Sequence, residues 1–213
     1  MRADDFEHMP QTRELLAGQG LTFSNAFVTH SLCCPSRTSI LRGQYTHNHQ
    51  VLTNKDPGGG FEKFQRQGHE TSTVATWLQS GGYQTVLLGK YLNGYGLNDP
   101  RYVPPGWDEW YGKVDDDYYD YQLNENGTLV SYGSDNEDYY TDVLADQAYD
   151  YVRRAAEDSR PFFIYLASAA PHGPFTPAPR HLDEYPDAQA PRPPSFDERD
   201  VRDKPAWVRD MLG

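Results

Sequence analysis

The sequence has few cysteines, few basic residues and no long apolar run, and each shortage excludes a class of protein. Two adjacent cysteines among 213 residues cannot form a disulfide framework, and they do not indicate a cellular compartment. No apolar run approaches the length that a helix needs to cross a membrane, so no membrane partner is predicted. No signal peptide precedes the first residue, and the localisation stays undetermined.

Positive charge is also scarce. The chain has 19 lysines and arginines against 31 aspartates and glutamates, which gives a formal net charge of −12. A nucleic-acid-binding protein needs a basic face to meet the phosphate backbone, so no nucleic-acid partner is predicted. Because the chain as a whole is acidic, any attraction for an anion must come from a local group of cations or from a metal.

The length of the chain suffices for one domain with a hydrophobic core.

Hydrophobic periodicity and turn residues predict helices in alternation with strands. The predicted helices are residues 9–18, 35–43, 71–79 and 139–157, and the predicted strands are residues 21–28, 83–88 and 161–167. A hairpin is predicted over residues 118–133, around Asn126-Gly127. Residues 171–213 are rich in proline and poorly periodic, so we expect an irregular segment within the same domain.

Alternating helices and apolar strands predict an α/β fold with a mostly parallel sheet that helices cover on both faces. In such sheets, functional sites form at the carboxyl ends of the strands. Cys33, Lys90 and His172 each follow one of the three predicted strands. We therefore expect these three residues at one edge of the sheet.

The most distinctive motif is Cys33-Cys34-Pro35-Ser36-Arg37, at the predicted start of a helix. A helix N-terminus offers unpaired N–H groups and a partial positive charge, both of which suit an anion. Pro35 fits the first turn, because its missing N–H would have had no partner there. Arg37 lies about one turn further along, where its guanidinium can hold an oxyanion.

Other uses of the two cysteines also have to be weighed. A structural thiol at Cys33, or a redox-active pair of Cys33 with Cys34, remains open on the residues alone. A phosphatase loop of the Cys-x5-Arg type does not fit. Ser39 and Ile40, rather than an arginine, stand six residues after the two cysteines.

The motif, with the closing Arg42-Gly43, resembles the signature of the type I sulfatases. Further segments are similar, in the same order, to the N-acetylglucosamine-6-sulfatase branch of that family, namely residues 47–49, 82–85, 89–93, 105–107, 140–145 and 171–174. The resemblance implies an alkaline-phosphatase-like α/β fold and hydrolysis of sulfate esters. The substrate class that it implies is a sulfated carbohydrate, in particular sulfated glucosamine units of glycosaminoglycans.

The resemblance also implies roles for individual residues. In that family the cysteine matching Cys33 is oxidised to formylglycine, whose hydrate attacks the ester and then expels the sulfate. A formylglycine-generating or anaerobic sulfatase-maturating enzyme is the partner implied. Arg37 matches the motif arginine, Lys90 the lysine that holds sulfate oxygens, and His172 the histidine that donates to the ester or leaving oxygen. Leu92 stands where many members have a histidine, and Asn93 is expected to take over that role.

A calcium ion is implied as well, with magnesium as the alternative, bound by formylglycine at Cys33 and by carboxylate and amide oxygens. The other ligands are expected to be absent from this chain, since Asp4 and Asp5 match a second, non-ligating acidic pair. His47 and His49 suit zinc or copper better than a hard ion, so we expect them to pack or line the pocket. Residues 115–117 lack the spacing of an EF-hand and are expected to be a solvated acidic turn.

The chain is thus predicted to be a partial sulfatase catalytic domain over residues 1–213, truncated at both ends, with its first strand lost before Met1 and its C-terminal part missing after Gly213. An unpaired sheet edge, weak calcium binding and little hydrolysis are expected of such a fragment. Three alternatives remain: a phosphonate or phosphodiester hydrolase of the same superfamily, a non-catalytic protein that binds sulfated glycans, and a redox protein built on Cys33–Cys34.

Overall fold

The structure is a computed structural model that describes residues 7–115, 117–194 and 196–210. The chain divides into two compact units, residues 1–176 and residues 177–213. The second unit has a 3₁₀ turn at Pro179–His181, a short helix at Ala206–Asp210 and otherwise irregular backbone. All of the residues predicted to form the site belong to the first unit. None of the helices in the described ranges is both long and apolar enough to cross a membrane.

The first unit is built on a five-stranded sheet in the order β4-β3-β2-β1-β5. Its strands are β1 Gln84–Gly89, β2 Glu109–Lys113, β3 Gln122–Glu125, β4 Thr128–Ser131 and β5 Phe162–Ala167. Strand β1 runs parallel to both β2 and β5, whereas β3 and β4 are antiparallel. The predicted parallel sheet is confirmed for three strands, and the hairpin makes the whole sheet mixed.

The register sets the ends of the three parallel strands level. Gly89 of β1 lies opposite Gly112 of β2 on one side and opposite Ala167 of β5 on the other. The residues that follow these positions therefore emerge together at the carboxyl edge of the sheet, where α/β proteins form their sites.

Strand β1 is buried on both faces, as its continuous apolar run predicts. Val86 and Leu88 belong to one hydrophobic cluster and Leu87 to another, because successive side chains of a strand point to opposite faces. The first cluster contains the apolar side of α6 (Tyr140–Ala155), and the second contains residues of helices α2 (Cys33–Arg42) and α4 (Gly60–Arg66). The prediction that helices cover both faces of the sheet is confirmed.

Seven α-helices lie in the described ranges, at α1 Pro10–Thr12, α2 Cys33–Arg42, α3 Thr46–His49, α4 Gly60–Arg66, α5 Val74–Ser80, α6 Tyr140–Ala155 and α7 Ala206–Asp210. A π-helix at Arg13–Ala17 continues α1, in line with the helix predicted over 9–18. Helix α2 begins two residues before the predicted start, and α5 begins at a capping box made by Thr73 and Thr76. Helices α3 and α4 and strand β2 were not predicted from the sequence.

The strand predicted over residues 21–28 is wrong. The backbone there is irregular, and its apolar side chains are exposed, with Phe23 at 75% and Phe27 at 88%. A strand is stable only when a neighbour pairs with its backbone groups. No such neighbour is found among the described residues, so the apolar run over residues 21–28 was not sufficient to predict a strand. Cys33 therefore follows an irregular segment rather than a strand.

Candidate active site

Cys33 is the first residue of α2, so its side chain lies at the N-terminus of a helix. The preceding residue, Leu32, has extended backbone angles and offers no side-chain cap. Cys33 is partly buried and Cys34 is fully buried, and both are free thiols. Burial raises the pKa of the Cys34 thiol, which makes it the less reactive of the two. The structure thus favours Cys33 as the residue available for chemistry.

Asn54 supplies the cap that Leu32 cannot provide. Its Oδ1 accepts a hydrogen bond of 2.8 Å from the backbone N–H of Cys34. The first N–H groups of a helix have no partner within the helix, and a side-chain oxygen commonly satisfies one of them. Asn54 was not identified from the sequence, because it caps the helix from a loop 20 residues further along the chain.

Arg37 joins the start of α2 to the carboxyl ends of the strands. Its Nη1 donates a hydrogen bond of 2.7 Å to the backbone carbonyl of Lys90, the residue that follows β1. The Arg37 guanidinium counteracts the effect of burial, which raises the pKa of the nearby Tyr165 on β5. The structure therefore brings the Arg37 side chain to the backbone of Lys90.

Lys90 is held at the sheet edge by its backbone. Its N–H donates a hydrogen bond of 2.9 Å to the carbonyl of Ala167, which ends β5. The preceding Gly89 has φ +108°, and a Cβ there would lie 2.3 Å from that same carbonyl oxygen. Only glycine fits this position without displacing the backbone. The backbone of Lys90 is therefore held in place, and its side chain extends into the site from that position.

Lys90 and Asn93 line a cavity of about 570 Å³. A volume of this order is typical of a small-molecule site. Asn54, Lys113 and Asp115 also line the cavity, whereas Cys33, Arg37 and His172 do not. The Oδ1 of Asn93 is buried and has no hydrogen-bond donor among the described residues. That oxygen is screened from solvent, so Asn93 contributes other atoms to the cavity wall.

Lys113 is a cavity residue that the sequence analysis missed. Because Gly112 pairs with Gly89, Lys113 stands beside Lys90 at the end of the neighbouring strand. Its side chain is only 2% exposed, and its Nζ lies 4.0 Å from the ring centre of Tyr140 and 4.4 Å from that of Tyr121. A buried ammonium of this kind requires a compensating partner.

Asp115 provides that compensation. Its Oδ1 lies 3.2 Å from the Nζ of Lys113, and its Oδ2 accepts a 2.7 Å hydrogen bond from the backbone N–H of Gln122. The prediction of a merely solvated acidic turn is therefore wrong for Asp115, which is partly buried and ion-paired. Asp116, the middle residue of that turn, lies outside the described residues.

His172 lies on the loop that follows β5, at the same edge of the sheet. Its side chain is exposed, and its Nδ1 is 2.9 Å from the carbonyl oxygen of Gly173. Its own carbonyl accepts a 2.8 Å hydrogen bond from the hydroxyl of Tyr118. These contacts belong to its own loop and to Tyr118, and none of them joins His172 to Cys33 or Arg37.

The two histidines near α2 have the packing roles expected of them. His49 is fully buried, and its Nδ1 accepts the N–H of Val51 at 3.1 Å. Nε2 must then carry the proton, and it donates to the Oγ of Ser39 at 3.1 Å. Burial lowers the pKa of His49 to about 4, so this histidine is neutral at pH 7. His47 is exposed and stacks on Tyr45.

A calcium site does not form from the part of the chain that the structure describes. No group of three or more histidine, cysteine, aspartate or glutamate side chains is close enough there to hold a metal ion. Asp4 and Asp5 lie outside the described residues. The described donors therefore do not fit a hard divalent cation, which takes several oxygen ligands.

The fold and the site together define an α/β domain with a cysteine at a helix N-terminus, an arginine one turn later and a lysine at the end of the central parallel strand. Residues 3–202 match the family model described as Sulfatase. The chain belongs to the sulfatase family.

Two relatives within that family are sulfatases by name. The chain is 40% identical over 194 residues to the human N-acetylglucosamine-6-sulfatase, an alignment that covers 88% of this chain and 35% of that protein. It is 37% identical over 204 residues to the extracellular sulfatase SULF-1 homolog of Drosophila melanogaster, covering 94% of this chain and 18% of that protein. The chain thus spans about a third or less of these curated relatives.

Solved structures agree with this assignment. One similar structure is that of BT4656 in complex with its substrate D-glucosamine-2-N,6-O-disulfate. It has a TM-score of 0.67 and 27% identity, and the match covers 86% of this chain and 34% of that one. Another is Ps i-CgsB, with a TM-score of 0.67 and 25% identity, covering 84% of this chain and 44% of that one. The expected alkaline-phosphatase-like α/β fold is confirmed.

Proposed function

We propose that this chain carries the nucleophile of a sulfatase that hydrolyses sulfate esters of glucosamine-containing glycans. The single observation that carries the proposal is the 2.7 Å hydrogen bond from Arg37 Nη1 to the carbonyl of Lys90. It joins the helix that begins at Cys33 to the lysine at the sheet edge. Cys33, Arg37 and Lys90, three residues of the sulfatase pattern, are thereby connected in space.

Formylglycine made from Cys33 would supply the chemistry, since one oxygen of the hydrated aldehyde can attack sulfur and its second hydroxyl can then expel sulfate. The position of residue 33 suits such a group, because the N-terminus of α2 favours negative charge. Conversion of the thiol requires a formylglycine-generating or anaerobic sulfatase-maturating enzyme, which we propose as a partner.

The cations of the site would hold the sulfate group. Arg37 supplies N–H donors that stay charged at any working pH, and Lys90 supplies an ammonium from the end of β1. Both stabilise charge that builds up on the sulfate oxygens as the ester bond breaks. Their local charge also explains how a chain of net charge −12 attracts an anionic substrate.

His172 and Asn93 would act on the sugar side of the ester. An exposed histidine on the loop after β5 can donate a proton to the leaving oxygen. Asn93 lines the cavity, where its amide can hydrogen-bond a hydroxyl or amide of the sugar. The cavity of about 570 Å³ that Asn93 and Lys90 line offers room for a monosaccharide unit.

Calcium, or magnesium in its place, belongs to this proposal through the family resemblance. Residue 33 as formylglycine is the only ligand that the sequence pattern assigns to the described chain. The remaining carboxylate and amide ligands would come from elsewhere in the protein.

Turnover measurements test the proposal. The whole protein, with the segments that would supply the remaining metal ligands and with position 33 converted, should hydrolyse glucosamine 6-sulfate, and Cys33→Ala should abolish that turnover while leaving the melting temperature within a few degrees. Ser36→Ala, one turn inside the same helix, is the matched control and should retain most of the activity. Faster turnover of a phosphate diester, or glycan binding without turnover, would contradict the proposal. So would activity that cycles with thiol reductants.

A further inference from the structure

The loop that carries His172 is tied to other parts of the domain by two tyrosine hydroxyls. The hydroxyl of Tyr118 donates a hydrogen bond of 2.8 Å to the carbonyl of His172 itself. The hydroxyl of Tyr139 donates one of 3.0 Å to the carbonyl of Thr176, further along the same loop. One bond therefore holds the loop at His172, and the other holds it near its far end.

The two tyrosine rings are themselves fixed by packing. They stack with their ring centres 5.9 Å apart and their planes 15° apart, and Tyr118 is only 3% exposed and Tyr139 only 6%. The backbone N–H of Tyr140 donates a 3.0 Å hydrogen bond to the carbonyl of Tyr118, which joins the segment before β3 to the start of α6. A phenylalanine in either position would keep the stack and lose only the hydroxyl.

The loop itself is held mainly by short turns. It leaves the sheet after β5, and both His172 and Phe175 are exposed. The N–H of His172 donates to the carbonyl of Ala169 at 2.8 Å, and the N–H of Phe175 donates to the carbonyl of His172 at 3.1 Å. Such turns shape a loop locally but do not join it to the sheet. An exposed loop of this kind keeps its position through contacts with fixed elements, here the two tyrosines.

The imidazole of His172 is oriented by its own loop. Its Nδ1 lies 2.9 Å from the carbonyl oxygen of Gly173, and a carbonyl can only accept, so Nδ1 carries a proton and donates it. Nε2 is then the ring nitrogen left to serve an ester. Because the ring is bonded to the backbone of the loop, a displacement of the loop would displace Nε2 with it.

We infer that Tyr118 and Tyr139 are positioning residues that hold His172 at the carboxyl edge of the sheet, where its Nε2 serves the leaving oxygen. The inference rests on the proposed function for the role of His172, whereas the two hydroxyl contacts with the loop stand independently of it. Neither tyrosine touches the substrate in this account. Both act only through the backbone of the loop.

The test compares two sulfate esters on the whole protein with position 33 converted. A sugar oxygen needs a proton as it leaves, whereas nitrophenolate leaves readily without one. Tyr118→Phe should therefore lower kcat for glucosamine 6-sulfate about tenfold and change KM less than about twofold, because a misplaced acid acts on the transition state rather than on binding. For nitrophenyl sulfate, kcat should change less than about twofold. Tyr139→Phe should show the same pattern with a smaller loss.

A double-mutant cycle with His172→Ala identifies the route of the effect. Adding Tyr118→Phe to His172→Ala should change kcat for glucosamine 6-sulfate by less than about twofold, since no imidazole is then left to position. This cycle alone decides the inference if the wild type does not accept nitrophenyl sulfate. An equal loss in the two backgrounds, equal losses on the two esters, or no loss at all would overturn the inference.

Tyr132→Phe is the matched control. It removes a tyrosine hydroxyl that donates to Glu125 at 2.6 Å, in the hairpin and away from the loop of His172. This variant loses a hydrogen bond of the same kind but should keep wild-type kcat on both esters. A loss on glucosamine 6-sulfate as large as that of Tyr118→Phe would contradict a specific role for Tyr118.

Failure of the proposed function would be distinguishable. If the wild-type protein with formylglycine at position 33 hydrolyses neither ester, the proposed function fails, and hydrogen exchange decides whether the tyrosines hold the loop. Tyr118→Phe should then speed exchange of the Phe175 amide, which is bonded to the carbonyl of His172, about fivefold. Tyr132→Phe should leave that rate unchanged. Equal rates in the wild type and Tyr118→Phe would overturn the inference in that case.

Discussion

Asn54 Oδ1 accepts a 2.8 Å hydrogen bond from the backbone N–H of Cys34 and so caps the helix that presents Cys33. The cap comes from a distant loop because the helix is preceded by Leu32, which has no polar side chain. Asn54 also lines the cavity next to the helix. The Asn54 side chain therefore forms part of the cavity wall and also holds the start of the helix, where Cys33 lies.

Removal of this cap should weaken both stability and turnover. Asn54→Ala is expected to lower the free energy of unfolding by about 1 kcal/mol, the usual cost of losing an N-cap acceptor. Urea denaturation measures the change. Asn98→Ala, which removes an exposed amide that hydrogen-bonds Glu62, is the control and should cost much less. Equal costs for the two variants would show that the Asn54 contact adds nothing.

Lys113, in the wall of the cavity, should be important for the stability of the fold. Lys113→Met leaves Asp115 partly buried without its cation and removes the contacts of the ammonium with two tyrosine rings. We expect the free energy of unfolding to fall by about 1–3 kcal/mol, less than for a fully buried pair because Asp115 is about one-third exposed. Urea denaturation again provides the measurement.

The double variant Lys113→Met/Asp115→Asn tests the cause. Neutralising the stranded carboxylate should recover part of the lost stability, since an amide costs less to bury unpaired than a carboxylate. A double variant that is less stable than Lys113→Met alone would mean that Asp115 matters through its bond to the backbone rather than through the ion pair.

Stability should fall as the pH drops through the range in which His49 would take up a proton. Burial, with the nearby charges of His69, Arg42 and His30, lowers the folded-state pKa of His49 from 6.5 to about 4. The unfolded chain therefore binds a proton at a higher pH than the folded chain does. Stability is full above pH 6.5 and falls towards pH 4, by about 3 kcal/mol for this one group.

Urea denaturation at several pH values measures this slope. His49→Gln should flatten it between pH 6.5 and pH 4, whereas His47→Gln, at an exposed position, should leave it unchanged. The pKa of His69 is lowered by burial as well, so a smaller slope of the same sign should remain in His49→Gln. A slope that is identical in all three proteins would contradict the assignment to His49.

Elements with a strong local pattern were predictable from the sequence. Strand β1 is a continuous apolar run, α6 has a clear helical period, and Asn126-Gly127 forms the hairpin turn at φ +53° and +90°. Strand β2 was missed because Glu109 and Lys113 break its apolar pattern. Its place in the sheet depends on pairing with β1, which no local pattern reveals.

The same distinction holds for the site. The rule that sites gather at the carboxyl ends of parallel strands correctly brought Lys90 close to the helix of Cys33. It did not reveal Lys113 or Asn54, whose roles come from strand register and from a loop that reaches back to the helix. The same rule was applied to a strand over residues 21–28 that does not form, so the position of Cys33 follows from its helix instead.

The most direct test of the account is the chemical identity of residue 33. Peptide mass spectrometry of the segment that contains it should be combined with sulfate-ester turnover, using protein from a host that has the converting enzyme. The account predicts an aldehyde in place of the Cys33 thiol and turnover that rises in proportion to the converted fraction. An unmodified thiol at position 33 in protein that hydrolyses the ester at full rate would contradict it.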